Sequence, residues 1–371
     1  MAVTKPKPGA EKVYDPAKPY NKQIRELITQ THPKDGPITV TPLGKRFSVT
    51  KAGVFDNCSE LTGVDGIGTK GLLHWQMGTM EAGAQDAFAM VVDDLIESGH
   101  MPVLMQDHIQ IQEENHEKIY RIVKGLVDLA KANPWNIEDA TKYPIVINGG
   151  ETAIINTMQG FEVGITGTGF AIQGHEIFAD AVLGDALIGI KSSGPHSNGY
   201  SFFRKDFIGR QSLKLEDKAP WDMDTTVGKE LTIPTNVYLP AIVELIADAR
   251  NYHGIAADVI HGMVHITGGG LSKLKELIPN KGNLNIEVHS DHGLMPQSIF
   301  FYSHASGVSS RDMYERFNNG IGYVVAVHKD YEKTALRLLR RHFAADTIGR
   351  VVKGDQKIRI RSAYDQGLVE F

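Results

Sequence analysis

The alternation of apolar and polar positions divides the chain into strand-like and helix-like stretches. Ile24, Leu27 and Ile28 sit at helical spacing and predict a short amphipathic helix over residues 20–29. From Ile38 the period shortens, with Val40, Phe47, Val49 and Val54 interleaved with polar residues as in strands. Residues 83–99 predict a helix, with Ala84, Ala87, Val91 and Leu95 as its apolar stripe and Gly99 as its stop. The run VLMQDHIQI reads as a buried strand carrying Asp107 at its polar end. A helix follows over residues 113–132, with Ile119, Ile122, Val123, Leu126 and Leu129 on its buried face. Residues 161–172 alternate apolar residues with Gly164, Gly167 and Gly169, a strand built for close packing. The second half repeats the mixture: a strand at 186–190, a helix opening at 202–208, a charged loop-like segment at 210–228 and a helix at 234–249. A buried strand within residues 312–327, a helix at 331–344 and closing strands at 348–360 complete it. Strands and long helices in both halves predict an α+β chain, and no short internal repeat is present.

Composition narrows this picture. At 371 residues the chain exceeds one ordinary core, which predicts two domains. The boundary is placed near Gly174, giving an arm at 1–35 and domains at 36–174 and 175–371. The first residues, up to about Lys18, are rich in lysine and proline and read as a tail or an arm lying on another surface. A net charge of -5 argues against sequence-independent nucleic-acid binding. A single cysteine, Cys58, excludes an internal disulfide and a thiolate zinc site, and suggests a reducing, cytoplasmic compartment. No apolar run is long enough to span a bilayer, so no membrane partner is expected.

The candidate chemistry lies in glycine-rich turns. In ELTGVDGIGTKGLL a strand delivers Asp65 to a turn of Gly66, Gly68 and Thr69, followed by Lys70. Carboxylate, pliant backbone and ammonium suit a metal-phosphate complex, with Asp65 on Mg²⁺ and Lys70 on phosphate; a solvated hairpin turn is the plainer alternative. On the next helix Asp86 and Asp93 share a face and Asp94 sits beside them. Carboxylates near a helix C-terminus oppose its dipole, so Asp93 and Asp94 are read as more than surface charge, although a solvated face remains the alternative. PIVINGGETA places Glu151 directly after Gly149 and Gly150, at a strand end open to a ligand or simply turning. SSGPHSNGYS crowds Gly194, His196, Ser197, Asn198 and Gly199 into one loop that can approach phosphate or sugar oxygens; its alternative is a polar chain reversal. HITGGG leaves the N–H groups of Gly268, Gly269 and Gly270 free for an anion, or forms a tight crossover. FNNGIG brings Asn318 into a buried strand.

In this order VDGIGTK, MVVDDLIESGHMP, INGGETA, SSGPHSNGYS, HITGGG and MYERFNNGIG resemble the successive motifs of the aminoimidazole ribonucleotide (AIR) synthetase family, the phosphoribosylformylglycinamidine cyclo-ligases, from about Gly63 to Val352. The resemblance implies a two-domain α+β chain whose N-terminal strands form a barrel across a homodimer, with an α/β sandwich as C-terminal domain. It implies ATP-dependent closure of formylglycinamidine ribonucleotide to aminoimidazole ribonucleotide, the fifth step of purine synthesis, by phosphorylation of the formyl oxygen and attack of the amidine nitrogen. Carried over by position, Asp65 and Asp94 hold Mg²⁺ on ATP, with Asp86 and Asp107 nearby and Lys70 neutralising the transferring group. Gly194, His196, Ser197, Asn198, Gly199, Gly268, Gly269, Gly270 and Asn318 line the substrate side, Glu151 orients the amidine, and His196 is the acid-base candidate. A need for a monovalent cation is left open.

The chain departs from the family pattern in places. The glycine-rich lid is replaced by TPLGKRFSVTKAG, Asp93 stands where asparagine is usual and adds charge near the metal, and Asn236 and Asn319 replace a common arginine and a frequent cysteine. Two alternatives therefore stand: a superfamily member using ATP on a different acceptor, and a non-catalytic nucleotide-binding protein.

Overall fold

The computed structural model describes residues 19–44, 46–137, 141–278 and 283–371. Of the arm expected at 1–35, residues 1–18 lie outside the described residues. The N-terminal half runs α1 (Pro19–Thr29), β1 (Ile38–Leu43), β2 (Arg46–Lys51), β3 (Cys58–Gly66), α2 (Gly71–Met77), α3 (Met80–Ile96), β4 (Met101–Ile111), α4 (His116–Ala132), β5 (Val146–Ile154) and β6 (Phe161–Ile172). The C-terminal half runs β7 (Ala186–Lys191), α5 (Tyr200–Phe203), β8 (Lys218–Ala219), β9 (Asp222–Thr226), α6 (Val227–Leu231), α7 (Leu239–His253), β10 (Ile260–His265) and β11 (Leu284–Val288). It closes with α8 (Ser298–Ala305), α9 (Ser310–Arg316), β12 (Ile321–Val327), α10 (Glu332–Leu339), β13 (Ala345–Lys353), β14 (Ile358–Arg361) and β15 (Leu368–Glu370). Among the described residues no helix is long and apolar enough to cross a membrane.

The first half is built on a four-stranded sheet in the order β3-β6-β4-β5, antiparallel except for the parallel pair β4 and β5. Within the chain this sheet is open, with β3 and β5 as its edges, so the closed barrel expected from the resemblance is not a feature of one chain. Strand β4 turns Val103, Met105, Ile109 and Ile111 inward and Gln106 and His108 outward. Asp107 falls in the inward series. The expectation that it sits at a polar strand end is corrected by this register: it is a buried carboxyl in mid-strand. Strands β1 and β2 form a separate antiparallel hairpin that takes in most of the TPLGKRFSVTKAG segment.

The second half is a seven-stranded sheet in the order β10-β12-β7-β13-β11-β14-β15. Both faces are covered. Ile188, Ile190, Tyr323 and Val325 belong to the core shared with α3 and α7, whereas Leu187, Val324 and Ala326 belong to a second core with Leu271, Leu274 and Leu277. Burial on both sides explains why ALIGI and GYVVAV read as continuous apolar runs. A third cluster, rich in aromatics, sets Tyr200, Phe203, Phe207, Phe300 and Phe317 beneath the residue 192–201 loop.

Helix limits differ from the sequence reading where side chains take over the backbone. Helix α7 starts at Leu239 rather than Pro234, because the N–H groups of Thr235, Tyr238 and Leu239 bond to carboxylates of α3. Helix α4 starts at His116, where Asn115 caps it by accepting from the Lys118 N–H. The segment read as loop-like at 210–228 contains the β8–β9 hairpin and the start of α6.

Candidate active site

The two halves meet along α3, and the acidic residues of this helix sort themselves by face. Asp86 and Asp93 turn into the seam and are fully buried, while the Asp94 side chain, one residue further round, is 40% exposed. Asp93 accepts from the backbone N–H of Tyr238 (3.0 Å) and of Leu239 (2.8 Å). A carboxylate of the first half thus caps a helix of the second. Burial pushes the Asp93 carboxyl up to about 7 against the opposing pull of His265 and these two N–H groups. The carboxylate is spent on the α7 N-terminus, and it also feels the charge of neighbouring Asp94.

Asp86 accepts from Lys70 Nζ (2.9 Å), His74 Nε2 (2.7 Å), the Thr235 N–H (2.7 Å) and the Thr235 hydroxyl (2.6 Å). Burial alone would raise its pKa, but Lys70, His74 and Thr235 outweigh burial and hold it at about 2. All of these partners of Asp86 lie inside the protein, in the seam between the halves. Lys70 is likewise 0% exposed. Its ammonium donates to Asp86, to the His196 carbonyl (2.7 Å) and to the Ile233 carbonyl (2.6 Å), so its three hydrogens are used and none is offered to a phosphate.

The Asp94 charge is among those that act on Asp65. Burial raises the Asp65 carboxyl, the Gly66 N–H at 2.6 Å lowers it, and Asp94 raises it again, while His265 and Lys273 act in the opposite sense. The 65–69 turn, the exposed face of α3 and the 265–270 loop therefore converge. Gly66 is half-buried, Gly68 and Thr69 are exposed beside Asp65, and Gly268 and Gly269 are exposed on the facing loop, whereas Gly270 is buried. Lys273 braces that loop, donating to the His265 carbonyl and the Thr267 hydroxyl, both at 3.1 Å.

His265 is a candidate that the sequence reading did not single out. Its ring is fully buried; Nδ1 lies 2.9 Å from Asp94 Oδ1 and Nε2 has no partner. Burial lowers its pKa, but the Asp94 contact more than compensates and the net shift is upward. Its own N–H donates to Glu97, which burial and Asp94 push up to about 8. The available signal is the histidine that opens HITGGG, three residues ahead of the first glycine.

The 192–201 loop faces His265 across the seam. His196 holds a left-handed backbone (φ 60°), and its ring centroid is 6.3 Å from that of His265. Its Nε2 accepts from the Ser193 N–H at 3.2 Å, which leaves the proton on Nδ1, and Nδ1 is buried without a partner. Burial holds the ring well below the ordinary imidazole pKa, so it is neutral. The Ser197 hydroxyl is 3.2 Å from that of Thr235, and Asn198 Nδ2 is buried without a partner. Gly199 (φ 74°) lies where an added Cβ would stand 2.1 Å from the Phe317 ring, so no other residue fits. Asn318 works from behind: Nδ2 donates to the Gly194 carbonyl at 2.8 Å, and Oδ1 accepts from the Ser192 hydroxyl and the Gly320 N–H.

Asp107 and Glu151 line a different feature, a cavity of about 440 Å³ beside α1 and the β1–β2 hairpin, with Arg25, Arg46, Phe47 and Asn148 among its walls. In register Asp107 pairs with Gly150 on β5 and with Ile165 on β6, and Ile165 pairs with Asp65 on β3. Asp65 and Asp107 are thus two strand spacings apart, about 10 Å. An added Cβ at Gly150 would lie 2.5 Å from Asp107 Oδ2, so the glycine clears the carboxyl. Burial pushes the Asp107 carboxyl up to about 7, with Glu151 adding to the effect. Among the described residues no three His, Cys, Asp or Glu side chains form a group that could hold a metal by themselves.

Comparison with known proteins decides the family. The model for AIR synthase related protein, N-terminal domain, matches residues 50–171, and that for AIR synthase related protein, C-terminal domain, matches residues 183–361. The chain belongs to the AIR synthase family. A phosphoribosylformylglycinamidine cyclo-ligase of Methanobrevibacter smithii is 33% identical over 80% of this chain and 81% of its own length. One from Thermococcus kodakarensis is 34% identical over 80% of each. One from Geotalea daltonii is 30% identical over 92% of this chain and 93% of its own length. Two solved structures share the AIR synthase fold at lower identity: hydrogenase maturation protein HypE (TM-score 0.60, 16% identical, covering 93% and 95%) and the thiamine-monophosphate kinase of Stenotrophomonas maltophilia (TM-score 0.58, 15% identical, covering 92% and 96%).

Proposed function

We propose that this chain is an ATP-dependent phosphoribosylformylglycinamidine cyclo-ligase, converting formylglycinamidine ribonucleotide and ATP to aminoimidazole ribonucleotide, ADP and phosphate. The observation that carries this reading is the match at 30–34% identity to relatives of that name over four fifths or more of their length. The local geometry supports it. Asp65 and Asp94 are hard oxygen donors, and the Asp94 charge acts on Asp65, which fits Mg²⁺ held by two carboxylates together with phosphate oxygens. Bound there, Mg²⁺ supplies charge neutralisation at the phosphates.

ATP spans from this pair to the cavity beside Asp107, where the hairpin residues Arg46 and Phe47 take the place of the glycine-rich lid. Glu151 belongs to this nucleotide end with Asp107, rather than beside the amidine. The substrate lies between the 192–201 and 265–270 loops. There the γ-phosphoryl passes to the formyl oxygen, the amidine nitrogen attacks the activated carbon, and phosphate leaves with that oxygen. His265 is the better acid-base candidate: Asp94 fixes its tautomer and raises its pKa, and Nε2 is buried without a partner. His196 is a hydrogen-bond donor through Nδ1. The second subunit of a homodimer joins across the outer face of the four-stranded sheet, where Val64 is 72% exposed. The test is incubation with formylglycinamidine ribonucleotide, ATP and Mg²⁺, following ADP and the aromatic amine together. Equal ADP and amine support the reading, and ADP without amine points to another acceptor.

A further inference from the structure

Lys70 follows the 65–69 turn directly and yet contributes nothing to its surface. Its ammonium crosses into the other half of the molecule, where two of its three acceptors are the carbonyls of His196 (2.7 Å) and Ile233 (2.6 Å). The third, Asp86, binds both the N–H and the hydroxyl of Thr235, and the Thr235 hydroxyl stands 3.2 Å from that of Ser197. His74 closes the network, with Nε2 on Asp86 and Nδ1 2.8 Å from the Thr79 hydroxyl. Every member between Lys70 and Thr235 is buried. Two adjacent residues of the 192–201 loop, His196 and Ser197, are therefore tied to the residue that ends the nucleotide turn.

Swinging Lys70 out to a phosphate would strand the Asp86 charge and two carbonyls in a dry seam, and an unpaired buried charge is strongly unfavourable. We propose that Lys70 is a positioning residue, which couples the nucleotide turn to the substrate loop by holding the His196 carbonyl and, through Asp86 and Thr235, the Ser197 hydroxyl. The network has the two properties such coupling requires: it is contiguous, and it joins two loops that bind different ligands. This rests on the cyclo-ligase reading for what the two loops bind.

The test is hydrogen-deuterium exchange on the full chain with and without Mg²⁺ and a non-hydrolysable ATP analogue, comparing the native chain with Lys70→Arg and Thr235→Val. The analogue is expected to slow exchange in residues 192–201 of the native chain by about tenfold, in the usual range for coupled sites. Thr235→Val is expected to bind the analogue with unchanged affinity and to lose most of that protection. Should Lys70→Arg disturb folding, Thr235→Val still tests the link. Analogue binding without loop protection, or full protection in Thr235→Val, overturns the coupling alone. A folded Lys70→Arg that binds the analogue more weakly while keeping the protection would show a direct phosphate contact instead. Failure of the native chain to bind the analogue sinks the nucleotide reading itself.

Discussion

The carboxylates that α3 carries or faces form two pairs, one sealed and one open, and they behave in opposite ways. Asp86 and Asp93 are sealed in the seam between the halves; Asp94, with Asp65 opposite, opens toward the cleft. The sealed pair itself divides. Asp86 has a lysine and is held at about 2, whereas Asp93 has only N–H groups directly on it and is pushed up to about 7. Equal burial with opposite shifts shows that the partner a carboxylate finds, rather than its depth, fixes its charge. The sealed carboxylates hold the two halves in register, and that register is what brings His265 to Asp94.

The largest expected effect lies in the open pair. Asp65→Asn and Asp94→Asn should each reduce Mg²⁺-dependent turnover by about a thousandfold, as loss of a charge-stabilising group does, with a lowered thermal midpoint only for Asp94→Asn, which loses the partner of buried His265. Near-normal turnover would remove that residue from the site. In the sealed pair the damage should move from rate to stability. Asp86→Ala leaves Lys70 buried and unpaired and should cost about 3–5 kcal/mol in denaturant unfolding. A cost below about 1 kcal/mol would mean that water reaches the seam.

Asp107 tests the same rule in the cavity. Its folded pKa of about 7 is above the unfolded value, so the folded chain binds an extra proton between roughly pH 4 and 7 and loses stability as pH rises through that window. Asp107→Asn should therefore match the native chain at pH 4 and exceed it by a few kcal/mol at pH 8 in the absence of nucleotide. Parallel stability curves would show that Asp107 finds a cation in solution. The smallest effect is the local reference: Asn115→Ala removes the α4 cap and should cost about 1 kcal/mol without touching activity. A change in KM there would mean that α4 reports to the site.

Periodicity located most elements because burial on one face writes itself into the sequence. Strand β6 and the apolar runs of β7 and β12 fall where the pattern places them. The α7 start was misplaced since its N–H groups answer to Asp86 and Asp93, about 145 residues away in sequence, and no local pattern encodes that. Lys70 looked like a phosphate ligand for the same reason: a lysine after a glycine turn has the right chemistry, and only the fold shows its hydrogens already taken.

By itself the sequence determined the element types, the two-part plan and, through six ordered glycine-bearing motifs, the family. These are properties of spacing and residue type, which survive without coordinates. The tertiary structure alone decided which carboxylate of α3 faces which neighbour, that Asp107 sits in a core-facing register, and that His265 rather than His196 presents a nitrogen backed by a carboxylate. Charge and proton affinity depend on groups that meet only when distant segments pack, so they are fixed by the fold and not by the order of residues.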